Sequence, residues 1–250
     1  MADPKVGCQL IVFGKRNEDD LPGVLRDVAS AGFAGVETGN LTQRMPMQAV
    51  WNLLAEQGLQ LAGTHSGYPD VENTTKLEQS IEFVQGMGAR FVICSGVAPG
   101  EGIAPYEKAA ELFNEAGRRC REAGVTFCYH NHNWEFAEQN GVKGIHRLCE
   151  LTDPELVKLC VDVYWVTVGG ESPTEFIQRY RDRVAYLHYK DLRDGTFTEL
   201  GNGTIDFRAI TLLVREIGVE WVVYEQDKSD LPPAQAARIS RRYMREVLGL

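Results

Sequence analysis

Short apolar runs alternate with longer amphipathic stretches along the whole of this chain of 250 residues. A short apolar run bounded by turn residues is typical of a buried strand, whereas a longer stretch with helical spacing can cover such a strand with one apolar face. The predicted strands are residues 6–13, 35–37, 59–64, 90–94, 125–131, 156–161, 184–188 and 221–224. The predicted helices are residues 21–31, 47–57, 75–87, 106–123, 142–151, 174–181, 207–217 and 234–247. Eight such units in succession predict an α/β chain in which helices cover parallel strands.

The regular order of the units favours a single (β/α)8 TIM barrel that spans residues 1–250. No break in composition divides the chain, and a glycine follows five of the predicted helices, as is common where a helix ends. A doubly wound open sheet is the alternative. It is disfavoured because nothing after Val12 resembles the glycine-rich fingerprint or P-loop of nucleotide-binding sheets.

Composition excludes several classes of protein. The net charge of −9 argues against binding to duplex nucleic acid, which needs a basic face. The six cysteines form no CxxC pair and lie mostly in apolar runs, as expected for buried thiols in a reducing compartment. No signal peptide and no apolar run of membrane-spanning length are visible. We therefore expect a soluble cytoplasmic protein without a membrane partner, and a homo-oligomer is one of the states open to it.

Four of the five histidines follow or end predicted strands, namely His65, His130, His132 and His188. Barrel enzymes build their active sites at the carboxyl ends of the strands, so this distribution predicts a site there. The fifth, His146, falls in a predicted helix and is interpreted as a surface histidine.

Strand alternation places four side chains of ligand type on the inner face of the barrel at one level: His130, Asp162, His188 and Glu225. Two imidazoles and two carboxylates that converge predict a divalent metal site with mixed nitrogen and oxygen ligands. Taken alone, Asp162 would more often be a helix cap and Glu225 a solvated strand end. Their joint placement on consecutive strands favours the metal site.

Longer motifs extend this pattern over nearly the whole chain. They are Tyr129-His130-Asn131-His132-x-x-Glu135-Phe136, Asp162-Val163-Tyr164-Trp165, His188-Tyr189-Lys190-Asp191 and Tyr224-Glu225-Gln226-Asp227, with weaker pieces at Gly35-Val36-Glu37 and at residues 200–207. In this order they resemble the xylose-isomerase-like barrels, the superfamily of sugar phosphate isomerases and epimerases. Inosose dehydratase-like relatives look closest in the histidine-rich fifth strand, because the well-known epimerases carry glutamate where His130 aligns.

The resemblance implies an enzyme with a small carbohydrate substrate and one divalent ion, Mn, Mg, Co or Zn with Mn favoured, held by the four residues named above. It implies an isomerase or epimerase that abstracts a proton next to a carbonyl, and the alternative is a sugar or cyclitol dehydratase. An endonuclease-IV-like hydrolase and a sugar-binding barrel without turnover are further alternatives.

The same resemblance and the positions of the side chains suggest individual roles. Glu225 is the first candidate for the base and Glu135 the second, while Lys190 could polarise a substrate oxygen. Predicted contacts to the substrate are His65, His132, Glu37 and Trp165, although Glu37 could instead pair with a lysine or arginine inside the barrel. Aromatic side chains beside the ligands suit the apolar faces of a sugar.

Overall fold

Eight parallel strands close into a barrel in the computed structural model, which describes residues 3–250. The barrel strands are β1 Lys5–Gln9, β2 Gly35–Thr38, β3 Gln60–Gly67, β4 Phe91–Ser95, β5 Thr126–His130, β6 Val157–Asp162, β7 Val184–Tyr189 and β8 Trp221–Tyr224. Each strand pairs with its neighbours in chain order, and β8 returns to β1 with Lys5 opposite Trp221. This closure confirms the predicted (β/α)8 barrel and excludes the open sheet.

Eight helices form the outer ring. They are α1 Leu21–Ala31, α2 Met47–Glu56, α3 Thr74–Gly86, α4 Ala104–Glu122, α5 Gly144–Leu151, α6 Pro173–Arg179, α7 Phe207–Ile217 and α8 Pro233–Leu248. Outward side chains of the strands, such as Phe127 and Tyr129, pack against buried helix residues such as Phe113. Within residues 3–250, no helix combines the length and apolar character needed to cross a membrane.

A closed apolar layer fills the inside of the barrel below its carboxyl-terminal mouth. Its buried members are Ala62, Phe91, Ile93, Cys128, Cys160, Tyr186, Trp221 and Val223. Cys128, Cys160, Tyr186 and Val223 each lie two positions before one of the four predicted ligand residues and belong to this layer, so the predicted inward faces of β5 to β8 are confirmed. All six cysteines are buried and free, as predicted. The packed layer closes the barrel below the mouth, so the polar residues of the site lie above it.

The first predicted strand is too long, because β1 ends at Gln9 and a 3-10 helix, Leu10–Phe13, follows it. The Gln9 side chain accepts a hydrogen bond of 2.8 Å from the backbone N–H of Ile11, which starts the helical turn. Gly14 then adopts a positive φ of 53°, a conformation that glycine tolerates best. The segment that follows consequently forms part of the wall of the mouth, where Lys15 and Asn17 line the cleft.

Two further differences concern short hairpins. Helix α5 begins at Gly144 rather than 142, because Val142–Lys143 pairs with Glu138–Gln139. The segment after β7, which the sequence analysis left unassigned, contains a second hairpin, in which Asp191–Arg193 pairs with Thr196–Thr198.

A buried carboxylate organises the rest of the loop after β7. Asp191 accepts hydrogen bonds from four backbone N–H groups, those of Leu192, Gly201, Gly203 and Ile205. A Cβ at Gly203 would lie 2.2 Å from the carboxylate, so only glycine allows this close approach. The glycine-rich composition therefore reflects a compact anchored turn and not a flexible linker.

His146 is also not the surface residue that its helical position predicted. Its side chain is only 15% exposed, with Nδ1 2.7 Å from the Tyr180 hydroxyl and Nε2 2.9 Å from Glu171. Glu171 also accepts a hydrogen bond from Lys143. The histidine connects helix α5 to the α6 region, remote from the barrel mouth.

Candidate active site

The four predicted ligand residues meet at the carboxyl-terminal mouth of the barrel. His130 and Asp162 end β5 and β6, His188 lies in β7, and Glu225 directly follows β8. All four side chains are buried, and one nitrogen or oxygen atom of each lies within 4.8 Å of the others. The structure thus brings together the set that strand alternation predicted.

Hydrogen bonds outside the cluster orient two of these side chains. Nε2 of His188 lies 2.7 Å from Oε2 of Glu37. Nδ1 of the same ring therefore faces Glu225 and lies 2.6 Å from its Oε2. Asp162 Oδ1 accepts the backbone N–H of Trp165 at 3.0 Å, which leaves Oδ2 for the cluster, 3.4 Å from His130 Nε2.

The backbone of Asp162 is held as firmly as its side chain. The Asn131 amide donates to the Asp162 carbonyl at 3.2 Å and accepts the Asp162 N–H at 3.0 Å. This two-way clamp ties the ends of β5 and β6 together and fixes the spacing of His130 and Asp162. Asp162 is therefore the N-cap of a short helix, Val163–Val168, and a cluster member at once, so the two alternatives raised by the sequence both apply.

Several atoms of the cluster approach one another or Lys190 at 2.6–3.4 Å without the geometry of a hydrogen bond. They are His130 Nε2, Asp162 Oδ2 and His188 Nδ1, all buried. Buried polar atoms in such poor geometry are only partly satisfied, and a cation bound between them would complete their interactions. Imidazole nitrogen and carboxylate oxygen together suit a divalent cation such as Mn²⁺ or Zn²⁺. The donor set fits a metal ion.

The charges of the site favour a cation as well. The Lys190 ammonium is fully buried and donates to Glu225 and Asp227, both at 2.8 Å, and lies 3.2 Å from Asp162. Three carboxylates thus surround one ammonium, an excess of negative charge in a poorly solvated place.

The pKa values of the cluster follow from these charges. Burial by itself would raise the pKa of Glu225, but Lys190 and His188 lower it well below its usual value. Burial lowers the pKa of His130 to about 4, although the neighbouring Asp162 by itself would raise that pKa. His130 is consequently neutral at physiological pH, the state in which imidazole binds metals.

His65 and Glu37 form the wall on the side of β2 and β3. Nδ1 of His65 lies 2.8 Å from Glu37 Oε1, and Nε2 lies 3.1 Å from the Ser95 hydroxyl. His65 and Ser95 both line the open cleft, whereas the Glu37 side chain is completely buried. The partners of Glu37 are thus two histidines and not the lysine or arginine considered above.

Aromatic side chains form the opposite wall. His132 stacks on Trp134 with ring centroids 4.0 Å apart, and Trp165 lies 5.7 Å from His132 and 5.2 Å from the Lys190 ammonium. The buried Nε1–H of Trp165 and Nδ1 of His132 have no partner in the described part of the chain. The cleft in front of the cluster has a volume of about 620 Å³, enough for a monosaccharide-sized ligand.

Glu135 is the predicted residue that the structure does not bring to the cluster. It is buried on the outer side of β5, where it accepts the Tyr129 hydroxyl at 2.6 Å and the His132 N–H at 2.8 Å. Burial raises its pKa to about 7, against the lowering effect of these hydrogen bonds. This geometry favours a role in positioning the residue 130–136 loop over the predicted role as acid or base.

Asn131 and Asp227 contribute to the site although the sequence analysis assigned them no role. Asp227 lies two positions after Glu225, and this spacing could have indicated a second carboxylate on the same side. Asn131 adjoins His130, but its bond to the next strand depends on the register between β5 and β6, which no local pattern shows.

Comparison with known proteins agrees with the fold and the motifs. Residues 25–247 match the family model of the xylose isomerase-like TIM barrel. An inosose dehydratase of Geobacillus kaustophilus is 28% identical in an alignment of 280 positions, gaps included, that covers 90% of each chain. A crystal structure of a sugar phosphate isomerase/epimerase from Parabacteroides distasonis gives a TM-score of 0.83 at 22% identity, with 99% of this chain and 95% of that one covered. The crystal structure of the 3-keto-D-glucoside 4-epimerase of E. coli gives a TM-score of 0.76 at 18% identity. The match covers 97% of this chain and 99% of that one.

The two structures below 25% identity support the fold, and the family model covers most of the sequence. The resemblance predicted from the motifs is confirmed. The chain belongs to the xylose isomerase-like TIM barrel family.

Proposed function

We propose that this protein is a divalent-metal-dependent dehydratase that acts on a keto-cyclitol such as an inosose, or on a related keto-sugar. The observation that carries the proposal is the convergence of His130, Asp162, His188 and Glu225, three of which present a buried atom without a well-formed hydrogen bond. The match to an inosose dehydratase over 90% of both chains supports the substrate class.

His130, Asp162, His188 and Glu225 would hold the cation. When bound, a divalent cation polarises a carbonyl and stabilises the negative charge that develops when the neighbouring C–H is deprotonated. The four ligands come from four consecutive strand ends, so a rigid scaffold fixes their spacing.

Glu225 is the proposed base. Its depressed pKa keeps the carboxylate ionised at neutral pH, and Lys190 holds Oε1 so that Oε2 faces the cluster. A carboxylate of low pKa is a weak base, so it removes a proton only from a carbon acid that has been strongly acidified. The proposed dependence on a cation follows from this low basicity.

Dehydration then requires a proton for the departing hydroxyl. The C–H electron pair forms the new double bond, the β-hydroxyl leaves, and a histidine at the cleft protonates it so that water is released. His132 lines the cleft and would supply this proton, and Trp165 would donate its indole N–H to a substrate hydroxyl.

An isomerase or epimerase, the first expectation from the sequence, is the second candidate. It requires a group that returns the proton to the substrate carbon. His132 is the residue that would supply this group, because its ring lies 4.8 Å from that of His130 at the cleft. Dehydration is preferred because His130 occupies the position where two-base epimerases carry a glutamate.

One assay separates these reactions. The chelated protein would be incubated in D₂O with a panel of keto-cyclitols and keto-sugars, with and without Mn²⁺, and the products analysed by mass spectrometry and NMR. We expect Mn²⁺-dependent loss of one water. Solvent deuterium in a product of unchanged composition would instead establish the isomerase or epimerase. Turnover that does not depend on any divalent ion would contradict both.

A further inference from the structure

The carboxylate of Glu37 contacts two histidines of the site at once. It lies in β2, is 0% exposed, and places Oε1 2.8 Å from His65 Nδ1 and Oε2 2.7 Å from His188 Nε2. The two histidines come from β3 and β7, so the bridge spans the mouth of the barrel. We propose that Glu37 is a positioning residue that holds a hydrogen on Nδ1 of His65 and on Nε2 of His188, and so determines which nitrogen of each ring faces the site.

The tautomers follow from the chemistry of the acceptor. An ionised carboxylate has no hydrogen to donate, so each ring nitrogen that faces it must carry one. His188 therefore carries a hydrogen on Nε2, so Nδ1, which lies 2.6 Å from Glu225, is the nitrogen that can bind a cation in place of its own hydrogen. His65 carries its hydrogen on Nδ1 and keeps a lone pair on Nε2, the atom near Ser95 at the cleft.

One side chain thereby serves two purposes. On His188 it turns Nδ1 into the proposed metal cluster, as carboxylates beside metal-binding histidines generally do. On His65 it directs a lone pair toward the cleft, where this ring can accept a hydrogen bond from a substrate hydroxyl. The assignment to His188 rests on the proposed metal site, whereas the tautomer of His65 follows from the hydrogen bonds alone.

The substitution Glu37→Gln tests the bridge sharply. An amide offers one acceptor and one donor, so it can satisfy only one of the two histidines in its present tautomer. The other histidine must accept instead of donate, or lose its partner. Glu37→Asp retains two acceptor oxygens and is the conservative variant that should restore part of the function.

The matched control is Glu171→Gln, because Glu171 also faces a histidine, His146, at 2.9 Å but lies outside the barrel mouth. If both variants weaken the protein equally, the effect of Glu37→Gln is merely structural.

Two readouts decide the matter, and neither needs turnover. The first is the pattern of nitrogen–hydrogen couplings of the histidine rings, measured by NMR on the metal-free wild-type protein. We expect the hydrogen on Nδ1 of His65 and on Nε2 of His188. The second is the dissociation constant for Co²⁺, which we expect to rise about 10–100-fold in Glu37→Gln, less in Glu37→Asp, and not in Glu171→Gln.

The opposite results would overturn the inference. They are a hydrogen on Nε2 of His65 in the wild type, an unchanged Co²⁺ affinity in Glu37→Gln, or two Co²⁺ ions per chain with Glu37 as a ligand. If no substrate is ever turned over, the proposed function fails, but the tautomers and the Co²⁺ affinities still test the role of Glu37.

Discussion

The inner and outer faces of β5 end in two buried polar clusters, one around His130 and one around Glu135. In the outer cluster both carboxylate oxygens of Glu135 accept hydrogen bonds, from Tyr129 and from the His132 backbone. In the inner cluster, by contrast, His130 Nε2 and Asp162 Oδ2 face each other at 3.4 Å without the geometry of a hydrogen bond. The outer cluster is complete with protein atoms alone, whereas the inner one offers atoms to a ligand.

The two clusters also differ in the charge of the groups that surround their carboxylates. Neutral donors surround Glu135, so burial dominates and raises its pKa to about 7. Lys190 lies among the inner carboxylates and lowers the pKa of Asp162 and Glu225 despite their burial. A buried carboxylate thus indicates a functional site only when its neighbours are charged or unpartnered.

Loss of the proposed base should have the largest effect. We expect Glu225→Gln to lower kcat by about 10²–10⁴-fold, the usual contribution of a positioned base. Steady-state kinetics on the substrate identified above would measure this, with Glu171→Gln as the control of unchanged activity. Full activity in Glu225→Gln would mean that the inner cluster is not catalytic.

Removal of the ammonium should destabilise the fold. Lys190→Met leaves Asp162 and Glu225 buried without their cation, which typically costs about 3–5 kcal/mol. Urea unfolding monitored by circular dichroism measures the free energy of unfolding, and added Mn²⁺ should recover part of the loss. A cost below about 1 kcal/mol would show that Lys190 is not the charge partner of the cluster.

The pH dependence of stability should reveal the outer cluster. The folded pKa of Glu135, about 7, lies above its ordinary value of 4.5, so the folded state binds the proton more tightly. Its contribution is fully present below about pH 4.5 and is lost as the pH rises through about 7, a change on the order of 3 kcal/mol.

Glu135→Gln removes this titration. The variant should therefore gain stability relative to wild type between about pH 5 and pH 8, measured as the difference in unfolding free energy at each pH. A difference that stays constant over this range would contradict the raised pKa.

The smallest expected effect belongs to Tyr129→Phe, which removes one donor to Glu135 and leaves the inner cluster intact. We expect a loss of about 1.5–3 kcal/mol at about pH 8, where the acceptor is charged, and a smaller loss at about pH 5. Unfolding curves at both pH values measure it. A fall in kcat as large as that of Glu225→Gln would show that the two clusters are not separate.

The sequence predicted the barrel and the inner cluster because both depend on simple periodicity. Alternation along β5 to β8 places His130, Asp162, His188 and Glu225 inward once the barrel is assumed. Glu135 could not be placed in this way, because it lies in a 3-10 turn after the strand, where a period of two no longer applies.

Contacts between distant strands could not be predicted from the sequence either. The bond from Glu37 to His188 joins residues 151 positions apart, and the clamp by Asn131 joins residues 31 apart. Both depend on how the barrel closes. The early end of β1 was missed because Gln9 caps a turn with its own side chain, which an apolar run conceals.

The central claim is that the inner cluster holds one divalent cation and the outer cluster holds none. Anomalous diffraction from a crystal soaked in Mn²⁺ tests it most directly. We predict one anomalous peak, bounded by His130 Nε2, Asp162 Oδ2, His188 Nδ1 and Glu225 Oε2. Absence of a peak there at saturating Mn²⁺, or a peak at another place in the molecule, would contradict the account.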